Sequence, residues 1–219
     1  MTFQQLMDCY YLSDVDCNQK VYSMLLEQIK KHNVTPVIGA GLSFWAYPGW
    51  GRLLTEAATP YGEQKAVQDL LKQNKYDDAA EYLEKVIGAR IWAEILNKNF
   101  HPAIIKEKRN SRPYFQQSIP KVFQGTILTT NFDRAIEDLY GALDVVDPSD
   151  IFQSDILKRA QHQKTPLLVK LHGDINDPAN MVLTTSKYDF FYGSDRSHPD
   201  MNKPLPKFLK ETLGHNPLL

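Results

Sequence analysis

The sequence predicts an α/β fold: a parallel sheet with a block of helices inserted between its first two strands. Three observations support this. Short apolar runs at 35–38, 125–129 and 166–171 each end in a polar segment carrying glycine, asparagine or histidine. Between the first two runs, residues 50–100 follow a helical pattern with few strand formers. Ahead of the first run, Val21, Leu25 and Ile29 recur every four residues among Lys and Glu, the spacing of an amphipathic helix over about residues 18–32.

Taken in order, Thr35-Pro36-Val37-Ile38 breaks into Gly39-Ala40-Gly41, as a buried strand does on entering a glycine turn. The helical insertion is expected over about residues 52–115, with Ala79, Ala80, Leu83, Val86 and Ile87 on one helix face. Proline and basic residues at 102–113 mark a connection. The second strand, Gly125-Thr126-Ile127-Leu128-Thr129, stops at Thr130-Asn131-Phe132-Asp133. A helix over about 133–139, a weaker strand near 143–146 and an Asp147-Pro148-Ser149-Asp150 turn follow. The third clear strand, Pro166-Leu167-Leu168-Val169-Lys170-Leu171, runs into His172-Gly173-Asp174. Ligands of open parallel sheets bind at the carboxyl ends of the strands, so these three polar segments are placed to share one cleft.

Bulk properties narrow the function classes. A chain of 219 residues buries one core, and we expect a single domain over residues 1–219. With 25 basic and 26 acidic side chains the net charge is -1, so no global field holds a polyanion and nucleic-acid binding is not expected. The run Lys106, Lys108 and Arg109 is interrupted by Glu107 and reads as a solvated helix end. Cys9 and Cys17 have no Cys or His partner at metal-ligand spacing, so no zinc module and no metal are expected. No segment has signal-peptide character or approaches the roughly 20 apolar residues of a membrane span, which points to a cytoplasmic protein.

Each polar segment has a chemical and a structural reading. Glycines at 39 and 41 let backbone approach a ligand, and amides at a turn attract phosphate oxygens, although such a turn also serves simply to join strand and helix. The spacing is neither the G-x-G-x-x-G of dehydrogenases nor a P-loop. Asn131 suits a ribose hydroxyl or a water, and Asp133 a carboxamide, but both are also preferred helix-capping residues. His172 has the side chain for proton transfer near neutrality, or for a structural hydrogen bond. Trp45, Tyr47 and Trp50, and likewise Tyr188, Phe190, Phe191 and Tyr192, serve as cleft wall or as core.

Together these residues carry a resemblance. Gly39-Ala40-Gly41-Leu42-Ser43 with Tyr47-Pro48-Gly49-Trp50, then Thr130-Asn131-Phe132-Asp133, then Lys170-Leu171-His172-Gly173-Asp174, resembles the SIR2-like (sirtuin-related) family, in particular its bacterial anti-phage defence branch. The order of the segments matches over about residues 21–192. The resemblance implies a Rossmann-like sheet with helices on both faces and NAD+ bound between the sheet and a helical subdomain. Motif by motif, it implies that Ala40, Gly41 and Ser43 contact the diphosphate, with Gly39, Trp50, Thr130 and Gly173 completing the binding set. Asp133 would contact nicotinamide, Asn131 would place the ribose or the attacking water, and His172 would serve the ribose hydroxyls or act as base.

The activity implied is hydrolysis of NAD+ to nicotinamide and ADP-ribose, without a metal, in an effector activated by homo-oligomerisation or by a further domain or partner. Protein-deacylating relatives carry an Asp-Phe-Arg run, a Gln-Asn-Ile-Asp segment and four zinc-binding cysteines. Here Pro48-Gly49-Trp50, Thr130-Asn131-Phe132-Asp133 and two cysteines stand instead, so deacylation is not expected. The remaining alternative is a regulatory or assembly module that binds NAD or ADP-ribose without turnover. Relatives continue past a helix like that at 208–213 into another apolar strand, which is expected beyond residue 219.

Overall fold

The computed structural model describes residues 16–31, 34–148, 150, 166–195 and 197–213. Cys9 and the segment His215-Asn216-Pro217-Leu218-Leu219 lie outside the described residues, as does the side chain of Cys17. The apolar runs become parallel strands: β1 (Val37–Ile38), β2 (Thr126–Thr129), β3 (Asp144–Val146) and β4 (Leu167–Lys170), in the order β1-β2-β4-β3. Side chains alternate across a sheet, and covering both faces makes a strand apolar throughout. Accordingly Leu128 and Val169 face a layer containing Phe191, Leu205 and Phe208, while Ile127 and Leu168 face Ile136 on the other side.

Helices therefore cover both faces. The first layer is supplied by α9 (Thr185–Tyr192) and α10 (Pro204–Leu213), the second by α8 (Ala135–Tyr140). The predicted amphipathic helix at the start is α1 (Asp16–Lys30).

Between β1 and β2 the chain is helical, as its pattern predicts: α2 (Trp50–Ala58), α3 (Gln64–Lys72), α4 (Tyr76–Ile87), α5 (Ala89–Phe100) and the shorter α6 (Ala103–Glu107) and α7 (Ile119–Val122). Ala79, Ala80, Leu83 and Ile87 are buried as expected. Val86 is not. It is 44% exposed, because the buried stripe of α4 runs through 79, 83 and 87 and leaves 86 at its rim. The helical block does not form a core of its own: Leu54, Leu83 and Trp92 share one cluster with Ile175, Met181 and Leu183 from the segment after β4. Asp78 accepts from Thr185 Oγ1 at 2.5 Å and Glu81 from the Ser186 N–H at 2.8 Å, so α4 also holds the first turn of α9.

Candidate active site

Register places the site. Ile38 lies opposite Thr129, and Thr129 opposite Lys170, so β1, β2 and β4 end in one row. Their next residues open a cleft of about 230 Å³, lined by residues that follow all three strands. Of the residues expected to bind or react, Ala40, Ser43, Trp50, Thr130, Asn131, Asp133 and His172 line it. Gly39, Gly41 and Gly173 do not.

The three glycines shape the walls instead. Gly39 supplies a carbonyl to Asn131, and Gly41 lies in a short 3-10 turn, Ala40–Leu42, whose first amides have no acceptor within the turn. Gly173 has φ +91°, and a Cβ there would sit 2.9 Å from the Met181 Cα. Its neighbour's carbonyl, His172 O, accepts from the Val182 N–H at 3.0 Å, so the two strands of chain are too close for a side chain. Gly173→Ala is expected to lose about 1–3 kcal/mol of stability, read as a lower midpoint in chemical denaturation.

Asn131 is buried at the end of β2, its own N–H donating to Thr129 Oγ1 at 2.9 Å. Its Nδ2 donates to Gly39 O and to Ser43 Oγ, both at 3.3 Å. A backbone carbonyl only accepts, so the amide nitrogen must face Gly39. Oδ1 then accepts no protein hydrogen bond among the described residues and remains for a guest. Ser43, expected at the diphosphate, is 3% exposed and is occupied in this network, its hydroxyl lying 3.2 Å from Ala40 O.

Asp133 is also buried, and Oδ1 accepts from the Ala135 N–H at 2.9 Å, which starts α8 two residues later than the pattern suggests. Burial raises its carboxyl above the usual range, against the lowering effect of the Ala135 N–H, the Ser43 hydroxyl and the Lys170 charge. Its neighbour Phe132 packs edge-on against Trp50 and Phe100, with ring centroids 5.8 and 4.6 Å away, giving the cleft an aromatic wall.

His172 lies two residues beyond the end of β4 and lines the same cleft as Asn131, with Tyr188 Oη 3.4 Å from Nε2. Burial lowers its pKa from 6.5 to about 4, so the imidazole is neutral at physiological pH. The folded chain therefore resists a proton that the unfolded chain binds, and stability falls as pH drops from 6.5 towards about 4. An NMR titration is expected to find this ring still neutral at about pH 5.5; titration at the ordinary value near 6.5 would contradict the geometry.

Sequence reasoning missed contributors from distant segments. Tyr76 and Asp77, at the start of α4, join the cleft, as does Tyr188 of α9, which the sequence left open between wall and core. It also gave Lys170 no role. This lysine is fully buried and bonded to Phe132 O, Asp133 O, Glu137 and Asp174. A lysine continuing the apolar run 166–169 was the available signal, since lysine is almost never fully buried without a partner. Lys108 and Arg109 are exposed and bond within the chain, to Ala46 O and Asp138. Among the described residues no three or more His, Cys, Asp or Glu gather as a metal site, and no helix is long and apolar enough to cross a membrane.

The stretch from β2 onward, residues 125–219, matches a family model described as a SIR2-like domain. It contains the Asn131 and His172 segments, so that stretch is similar to the family whose motifs the sequence resembles, and the parallel sheet flanked by helices is the α/β class expected. Over 172 residues the chain is 27% identical to the protein named NAD(+) hydrolase ThsA of Cytobacillus dafuensis. That alignment covers 78% of this chain and 32% of that protein, so the chain matches about a third of the relative's length.

Proposed function

We propose that this chain is an NAD+ hydrolase domain that breaks the bond between nicotinamide and ribose, releasing nicotinamide and ADP-ribose. The observation that carries the reading is the Asn131 amide: both donor contacts are made within the protein, and the acceptor Oδ1 is left in the cleft that the neutral His172 also lines. The similarity to a protein named as an NAD(+) hydrolase supports the same substrate.

The bond to be broken needs little acid catalysis. Nicotinamide in NAD+ is already cationic, so it leaves with the bonding electrons as a neutral ring and needs no proton. What remains for the protein is orientation, and hydrogen bonds that strengthen as the ribose gains oxocarbenium character. Oδ1 of Asn131 accepts from a ribose hydroxyl or from the attacking water. The aromatic wall of Trp50, Phe100 and Phe132, with Asp133 beside it, suits the departing nicotinamide and its carboxamide. Amides at the start of the Ala40–Leu42 turn suit the diphosphate.

His172 then acts as a hydrogen-bonding partner of the ribose hydroxyls. Water adding to an oxocarbenium ion becomes strongly acidic, so its proton passes to solvent or to a weak base, and a high imidazole pKa is unnecessary. We assign the effector role in anti-phage defence, and activation by self-association or by a partner, on the family resemblance. The test is incubation of the full-length protein with NAD+, following nicotinamide by chromatography, alongside calorimetry with ADP-ribose. Release of nicotinamide is expected. ADP-ribose binding without turnover under any condition of activation would favour the non-catalytic module instead.

A further inference from the structure

Among the described residues, Lys170 is a completely buried charged side chain that the reaction above does not use. Its Nζ lies 2.7 Å from Asp133 O, 3.2 Å from Phe132 O, 2.9 Å from Glu137 Oε1 and 2.8 Å from Asp174 Oδ2. Arg134 closes the cluster, 3.2 Å from Glu137 and 3.5 Å from Asp174, so two cations face two carboxylates.

Stability alone does not call for such a group. Replacing a buried ion cluster by apolar side chains of similar volume is often neutral or stabilising, and an aliphatic residue at 170 would simply continue the run of Leu168 and Val169. An ammonium here does something an aliphatic side chain cannot. It reaches from the end of β4 to the two carbonyls that directly follow Asn131. Its partner Asp174 lies two residues beyond His172, and the Ile175 N–H adds a 2.9 Å bond to the same Phe132 O. The Asn131 loop and the His172 segment are thus joined at one point.

We propose that Lys170 is a positioning residue that fixes the Asn131 loop against the His172 segment and so sets the spacing of the two groups that must act on one ribose. It touches neither substrate nor reacting atoms. Its catalytic meaning rests on the function proposed above; the positioning itself is measurable without it.

Lys170→Met alone leaves Glu137 and Asp174 facing one cation and is expected to melt early. The double variant K170M/E137Q leaves Arg134 opposite Asp174 and restores the balance of charge. It is expected to recover most of the lost thermal midpoint, yet to turn over NAD+ at least about 10-fold more slowly at saturation, because a small misplacement of reacting groups is costly. KM should move by less than about threefold, and the backbone amides of residues 131–133 should exchange with solvent faster than in wild type. Glu137→Gln alone keeps the lysine and its carbonyl contacts, and should hold kcat within about threefold of wild type. Two results overturn the proposal: wild-type turnover and exchange in the double variant, or an equal loss in Glu137→Gln alone. Should the wild-type protein release no nicotinamide, the proposed function falls, and unchanged exchange in the double variant would still refute the positioning role.

Discussion

Asn131→Ala is expected to lower nicotinamide release from NAD+ by at least ~100-fold, the low end of what a group acting on the reacting atoms contributes. Two losses combine. The acceptor Oδ1 disappears from the cleft, and Gly39 O and Ser43 Oγ lose the donor that organises the glycine turn. The second loss also affects stability, by about 1–3 kcal/mol for a partly buried group left without its partner. Separating the two requires ADP-ribose binding on the same variant: affinity retained within about tenfold, with turnover lost, identifies the defect as chemical. Undiminished release would remove Asn131 from the mechanism.

His172→Ala is expected to cost at least ~100-fold as well. The structure changes the reason. A ring held neutral by burial, with its pKa at about 4, is a hydrogen-bonding group at physiological pH more than a proton store. His172→Gln, which keeps a donor and an acceptor, should therefore recover part of the activity that the alanine variant loses. Full activity in the alanine variant would show that the ribose is held from elsewhere, and equal loss in both would restore proton transfer as its role.

Much of this site could be seen in the linear sequence because parallel strands are buried on both faces and end abruptly. Apolar runs stopping at Gly39, Thr130 and His172 located the three strand ends, and the register of β1, β2 and β4 brings those ends into one row. Contacts that span the chain could not be read so directly. Asn131 meets Gly39 and Ser43 across about 90 residues of sequence, and nothing local in Gly39-Ala40-Gly41-Leu42-Ser43 says that its serine turns inward to an asparagine amide. Tyr76 and Asp77 reach the cleft only because the helical block shares its core with the segment after β4. Gly173 was recognised by motif, but the approach of Met181 that requires glycine there could not be read from the linear sequence.

The central claim is that this cleft breaks the nicotinamide–ribose bond by orientation, with water as acceptor. The most direct measurement is the product balance from NAD+ with the full-length protein and no acylated peptide present. Nicotinamide and ADP-ribose appearing in equal amounts is the predicted result. Release that depends on an acyl-lysine peptide, or saturable ADP-ribose binding with no nicotinamide formed, would contradict it.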